Sequence, residues 1–353
     1  MIWAIVVVAG LAAAASALGT GVGLRVARER AILDHPNPRS SHDAPTPTGA
    51  GIPVVTVIVF AWLLIWALTS AGADAGFTYP VALVCLLAAI LAAVSWYNDL
   101  KGLAPVARLL VQVAVVLIGI STLSAHGRIF QGALPYGLDV AVTAYLWLWF
   151  VNLTNFMDGI DGITGVEAGT IGIGIAILAP LILAAGLAQG IFISSSLVLY
   201  ATVFAAAAIG FLFWNWQPAK IFLGDVGSVP LGFLGGWLLL EVAGSGLWAV
   251  ALLLPLYYLA DATITLLRRV AKREAILEAH RSHYYQTAAR AVGSHAPVTL
   301  AILALNIALI ALAIVSAAQP ENAVAALIAG AVLTVGLLWY FAQRKEGTGS
   351  GET

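Results

Sequence analysis

The chain has 353 residues, of which 61% are hydrophobic and only 9% charged, whereas soluble domains carry about 25% charged residues. With a mean hydropathy of +0.98, a soluble fold and a disordered chain are both excluded, and 16 Lys and Arg against 17 Asp and Glu leave no basic excess to hold a nucleic-acid backbone. What remains is an all-α, polytopic membrane protein. Its single cysteine, Cys85, lies inside an apolar run, which rules out an intramolecular disulfide and a Cys-rich metal site.

A spanning helix needs about 20 mostly apolar residues, because its backbone groups must be satisfied internally across roughly 30 Å of hydrocarbon. About eleven such runs occur, near 2–24, 52–71, 79–97, 106–122, 138–153, 168–186, 191–213, 228–243, 247–266, 297–316 and 322–341. Nothing basic precedes the first run, and Arg25, Arg28 and Arg30 follow it. It therefore reads as an uncleaved helix with its N-terminus outside, not as a signal peptide. Alternating sides from there puts every Lys and Arg except Arg128 in cytoplasmic loops or at their edges, with the C-terminus cytoplasmic. The expected organisation is a single transmembrane domain over 1–343, with cytoplasmic loops at 25–51, 98–108, 152–167, 214–228 and 268–296 and a short tail over 344–353.

The polar clusters all fall in those five loops. The first, from Asp34 to Gly51, is stiffened by proline and glycine and carries Arg39 and His42; it is also compatible with a plain solvated turn. The second is Asn98-Asp99-Leu100-Lys101, with Arg108 placed where a helix would aim it back towards the same face. Asp99 and the two cations suit a metal and phosphates, or are charges snorkelling at a helix end. The third sets Asn152, Asn155, Asp158 and Asp161 at intervals of three residues, loosened by Gly159 and Gly162. Oxygen donors packed like this suit a hard cation such as Mg²⁺, or the hydroxyls of a nucleotide sugar.

In the fourth loop Asp225 stands between Gly224 and Gly227, directly before an apolar run, where it can cap a helix or ligate a metal. The fifth begins with Arg268, Arg269, Lys272 and Arg273 and continues through His280-Arg281-Ser282-His283. The basic run suits anionic lipid. His280 and His283 would share a face if helical, and without a third soft ligand they do not indicate zinc. Acids and cations converging on one membrane face meet the needs of phosphoryl transfer beside a bilayer: a cation across the phosphates, positive charge on the developing anion, and a nucleophile held in line.

Asn-x-x-Asn-x-x-Asp-Gly-x-Asp-Gly at 152–162, Phe-x-Gly-Asp-x-Gly-Ser at 222–228 and the Pro/Gly first loop at 34–51 together resemble the polyprenyl-phosphate N-acetylhexosamine-1-phosphate transferases. This is the superfamily of the bacterial phospho-MurNAc-pentapeptide translocase. Arg-Ser-Ser-His at 39–42 and His-Arg-Ser-His-Tyr-Tyr-Gln at 280–286 are closer to the branch that initiates O-antigen and other surface polysaccharides.

The resemblance implies that undecaprenyl phosphate attacks the β-phosphate of a UDP-N-acetylhexosamine, or a 6-deoxy relative, in the cytoplasmic leaflet of the bacterial inner membrane. Asp225 would be the principal Mg²⁺ ligand, with Mn²⁺ an alternative ion and Asn155 in support. Asp158 and Asp161 would contact the nucleotide sugar and Phe222 would stack on uracil. Lys101 and Arg108 would face phosphates, and Asp99 would bind Mg²⁺ or take the proton of the lipid phosphate. Asn152, Arg39, His42, His280, Arg281 and His283 complete the expected substrate-binding set, and a homodimer is a possible assembly.

Two departures stand out. The family's paired aspartates are Asn98-Asp99 here, and Thr48-Gly49-Ala50-Gly51 replaces an arginine and a glycine run. Because a phosphate monoester has a second pKa of about 6, its dianion is abundant without a general base, so catalysis is expected to survive loss of the first carboxylate. The rival readings are a secondary transporter, which would bind near the midplane, and a non-catalytic membrane scaffold. Asp261, an acid within a span seven residues before Arg268, reads as a helix-end carboxylate paired with the arginines of the fifth loop.

Overall fold

Backbone groups in hydrocarbon have no water to bond, so long apolar runs must form helices or closed barrels. The computed structural model, which describes residues 2–36, 44–70, 79–124, 128–188, 195–274 and 280–344, is built almost entirely of helices. In chain order they are α1 (Ile2–Glu29), α2 (Gly51–Ser70), α3 (Tyr79–Lys101), α4 (Pro105–Ile120), α5 (Tyr136–Met157), α6 (Ile163–Ala188) and α7 (Leu197–Asn215). They continue with α8 (Asp225–Gly244), α9 (Trp248–Leu253), α10 (Leu256–Ala271), α11 (Tyr284–Val292), α12 (Ala296–Ala318) and α13 (Ala323–Ala342).

Among the described residues, nine helices are long and apolar enough to cross a membrane, and α4 is a shorter apolar helix. The ninth apolar run, over 247–266, is broken into α9 and α10 at Leu254 and Pro255. The proline ring removes a backbone donor and clashes with the preceding turn, so a helix cannot pass through it unchanged. The second departure lies in the fifth loop: His280 and His283 precede α11 instead of sharing a helical face.

The bundle is organised around α8, whose residues from Val226 to Gly244 are all buried. Without a strong hydrophobic drive between helices in lipid, close packing relies on small residues. Gly236 lets the Trp147 indole lie against α8, and Trp147 stacks on Phe233 with ring centroids 4.7 Å apart while donating to the Phe233 carbonyl at 3.0 Å. At the start of α8 the chains come closer still, because a Cβ on Gly51 would fall 2.2 Å from Gly227 Cα.

That contact fixes the first loop. Strands β1 (Leu33–Asp34) and β2 (Thr46–Pro47) form a short antiparallel pair, and Thr48 makes a parallel bridge to Phe222. The Phe222 amide donates to Pro47 O at 2.8 Å, Ala50 N to Phe222 O at 3.0 Å and Gly51 N to Leu223 O at 2.9 Å. Loops one and four are thereby zipped together at one end of the bundle. Towards the other end, Asp139 accepts from the amides of Ile129 and Phe130, and Glu241 from that of Ser124.

Candidate active site

Hydrogen bonds gather the polar loops on Asp225. As the first residue of α8, it places its carboxylate at the positive end of a helix dipole. Its Oδ2 accepts from Asn98 Nδ2 at 2.9 Å and Arg108 Nη1 at 2.9 Å, and its Oδ1 accepts from Asn155 Nδ2 at 2.7 Å. Asn155 also donates to Ser228 Oγ at 2.9 Å. The Arg108 and Asp225 side chains are 35% and 26% exposed, so the ion pair is open to a ligand.

Asp99 serves the same helix end from outside. Its Oδ2 accepts from Val226 N at 3.0 Å, which is the capping bond that Gly224 cannot make. Gly224 has φ +75, and a Cβ there would meet Asp99 Oδ2 at 3.0 Å and Thr48 Oγ1 at 3.1 Å. A side chain at 224 would therefore be both strained and crowded.

Asp158 closes α5 as its C-cap, and Asp161 lies in the turn before α6. Burial pushes the Asp158 carboxyl up to about 7, with the charge of Asp225 adding to the effect and a hydrogen bond from Thr164 opposing it. Asp161 is tied down: Oδ2 accepts from Ala219 N at 3.0 Å, its carbonyl accepts from Thr299 Oγ1 at 2.9 Å, and His295 Nδ1 lies 3.1 Å from Oδ1.

Two clefts meet at these groups. One, of about 230 Å³, is lined by Asp34, Thr48, Asn215 and Phe222 together with Asp158, Asp161 and Asp225. The other, of about 440 Å³, has an apolar wall from Leu91, Val94, Val106, Leu109, Phe156 and Val229, with Arg108, Asn152, His280 and His283 beside it. Asn155, Asp158, Gly159, Asp225 and Gln286 line both clefts.

The structure thus brings together most of the residues expected from sequence. Asn152 donates to Gln112 Oε1 at 2.9 Å on the wall of the larger cleft. His280 and His283 stack with centroids 4.9 Å apart, and burial lowers His280 to about 4, with His283 and Arg269 adding to the shift. Lys101 and Arg281 are exposed and line neither cleft. Arg39 and His42 lie outside the described residues.

Asp261 is not paired with the arginines of the fifth loop as expected. Fully buried, it accepts from Tyr257 Oη, Thr265 Oγ1 and the amides of Tyr284 and Tyr285 at 3.0–3.1 Å, with His283 Nδ1 at 3.2 Å. It therefore moors His283 and the start of α11 to α10. Glu167 on α6 and Glu241 on α8 are likewise buried acids within apolar segments. Gln286 and His295 are further site residues: Gln286 closes the 280–286 motif as a neutral side chain beside its charged members, and His295 stands apart from every polar cluster in the sequence.

The donor set can be tested against a divalent cation. Among the described residues no group of three His, Cys, Asp or Glu side chains is placed to hold a metal. Asp225, with the Asp99 carboxylate near enough to feel its charge, offers the hard oxygen donors that suit Mg²⁺, which keeps several waters and is completed by substrate phosphates. The set does not fit a soft metal or an all-protein cage.

The fold and the site define a polytopic helical membrane protein with a polar centre built from loops at one end of its bundle. Comparison with known proteins shows what the chain is similar to. Residues 81–243 match the model for glycosyl transferase family 4. Over 272 residues the chain is 27% identical to the probable undecaprenyl-phosphate N-acetylglucosaminyl 1-phosphate transferase of Bacillus subtilis (strain 168), a match covering 75% of this chain and 72% of that protein. Over 243 residues it is 30% identical to the phospho-N-acetylmuramoyl-pentapeptide-transferase of Microcystis aeruginosa (strain NIES-843 / IAM M-2473), covering 63% of this chain and 60% of that one. The enzyme of the same name from Acaryochloris marina (strain MBIC 11017) is 28% identical over 262 residues, covering 68% of this chain and 65% of the relative. The match therefore spans less than two thirds of the latter two relatives. The chain is thus similar to glycosyl transferase family 4 over residues 81–243, and to these transferases over a longer stretch.

Proposed function

We propose that the protein transfers a sugar-1-phosphate from a UDP-N-acetylhexosamine, or a 6-deoxy relative, to undecaprenyl phosphate, releasing UMP and starting a lipid-linked surface polysaccharide. The observation that carries this reading is the meeting of two unlike clefts at Asp225: a polar one ending at Phe222 and an apolar-walled one flanked by Arg108. A nucleotide sugar fits the first and a prenyl phosphate the second. Their phosphates would face each other across Asn155, Asp158 and Asp225.

In the proposed step an oxygen of the lipid phosphate attacks the β-phosphorus of the donor. The new bond joins lipid phosphate to sugar phosphate, and the bond from the β-phosphorus to the bridging oxygen breaks. That oxygen leaves with its electron pair on UMP. Arg108 holds phosphate negative charge, the first turn of α8 adds its dipole, and Phe222 offers a face to the base.

A divalent ion, preferably Mg²⁺, would be held by Asp225 with Asn155 and Asp99, and would neutralise charge across the diphosphate. Asp99 is engaged with Val226 N, so its first task is to hold the α8 terminus. Product analysis tests the reading. Purified protein with undecaprenyl phosphate and Mg²⁺ should form a lipid-diphosphate sugar from at least one member of a UDP-sugar panel. No product from any donor in a folded sample would favour a scaffold.

The proposed sidedness puts the site at the cytoplasmic face of the bacterial inner membrane, with the N-terminus outside. It rests on the distribution of Lys and Arg. Reaction of engineered cysteines at Lys101 and Gln131 with an impermeant reagent in intact cells should label the latter alone.

A further inference from the structure

Glu167 on α6 and Asn306 on α12 sit inside the bundle, 2% and 1% exposed. Asn306 Nδ2 donates to Glu167 Oε2 at 2.7 Å and to Thr170 Oγ1 at 3.0 Å. That leaves two buried acceptors, Glu167 Oε1 and Asn306 Oδ1, with no hydrogen-bond partner. Two bare acceptors cannot satisfy each other, whereas a protonated carboxyl and a carboxamide can close two bonds through their four polar atoms.

The surroundings favour the neutral acid. Among the described residues no Lys, Arg or His lies within ion-pair distance of Glu167. It borders a small cavity lined by Phe150, Ile171, Phe204 and Leu231, with the uncharged Thr154, Thr164 and Tyr258 as its polar neighbours. An ionised carboxylate is costly in such a place without a partner.

We infer that Glu167 is a neutral carboxylic acid whose Oε1–H donates to Asn306 Oδ1, closing a two-bond pair that bolts α6 to α12 and so positions the Asp158–Asp161 turn. Both helices reach that turn. The α12 helix carries Thr299, bonded to the Asp161 carbonyl, and begins beside His295, which meets the Asp161 carboxylate. The α6 helix carries Thr164, which lies 3.1 Å from Tyr258 Oη and bonds the Asp158 carboxyl. Glu167 lines neither of the two clefts, so it is a positioning residue.

The test uses the full chain in detergent. Glu167→Gln replaces the O–H donor with an N–H donor of similar geometry, so its unfolding midpoint should match that of wild type and its turnover should stay within about twofold. Glu167→Ala should lower the midpoint and reduce turnover by about 10- to 100-fold, and Glu167→Asp, one methylene short, should not restore it. Infrared spectra at neutral pH should show a protonated-carboxyl stretching band, above the amide I band, that Glu167→Gln removes. An unchanged band in Glu167→Gln, or damage equal to that of Glu167→Ala, would overturn the inference. The turnover arm rests on the proposed transferase reading. The infrared and unfolding arms do not, so a wild type without activity would count against the function and leave the protonation test intact.

Discussion

Asn98 Nδ2 donates to Asp225 Oδ2 at 2.9 Å, while Asn98 Oδ1 accepts from Leu103 N at 2.9 Å. The amide thus ties the end of α3 and the turn before α4 to the central carboxylate. An aspartate at 98 could accept from Leu103 N but would turn an acceptor towards Asp225. Asn98 therefore gives Asp225 a neutral donor beside the charged one from Arg108, where an aspartate would add repulsion.

Asn98→Asp should make the protein's stability depend more strongly on divalent metal. With EDTA, the lost donor and the apposed charges should cost about 1–3 kcal/mol. Added Mg²⁺ should restore the unfolding midpoint in the variant more than it raises that of wild type. Equal Mg²⁺ responses would show that a second carboxylate here is not a ligand.

Arg108 pairs with Asp225 from the first turn of α4 and borders the larger cleft. Arg108→Ala should raise the KM for lipid phosphate by about 10- to 100-fold, the loss expected for a charge-assisted bond of ~1.5–3 kcal/mol. The KM for the UDP-sugar should change less. Titration of each substrate at saturating levels of the other separates the two effects.

The apolar runs reveal nearly every helix, because their length and composition leave the backbone little choice. The intervals of three in the third loop likewise bring Asn155 and Asp158 to one place. Other features were not legible because they depend on contacts distant in sequence. Asp261 is moored by the amides of Tyr284 and Tyr285, more than 20 residues away. Gln286 lines both clefts from α11, which is tied to α5 by Tyr285 Oη donating to Phe156 O at 3.0 Å and to α10 through Asp261. The break at Pro255 was readable in principle, but the hydrophobicity of the run masked it. Lys101 looked like a phosphate cation and instead ends α3 exposed, whereas Arg108, across the Gly102 turn, points inward.

The raised carboxyl of Asp158 predicts a pH dependence. Its folded value is about 7, against about 3.9 in an unfolded chain. Between these values the folded state binds more protons, so this group makes stability fall as pH rises from about 4 to about 7, with no further change above. Unfolding midpoints of ligand-free protein at pH 5 and pH 8 should differ more in wild type than in Asp158→Asn. A variant with the same difference would remove Asp158 from the account.

Removing the mooring at Asp261 should free the fifth loop. Asp261→Ala leaves buried donors from Tyr257, Thr265, Tyr284 and Tyr285 without their acceptor, at a cost of several kcal/mol. Trypsin should then cut at Arg281 and Arg290 faster than in wild type. Asp261→Asn, which keeps one acceptor, should fall between the two.

The most direct test of the central claim is UMP release by purified protein given undecaprenyl phosphate, Mg²⁺ and a panel of UDP-N-acetylhexosamines, with Asp225→Asn as the control. The account predicts release that requires both lipid and metal and falls by at least about 10³-fold in the variant, as when preorganised charge stabilisation is removed. Equal release from wild type and a folded Asp225→Asn would contradict the assignment of Asp225 as the centre of the site.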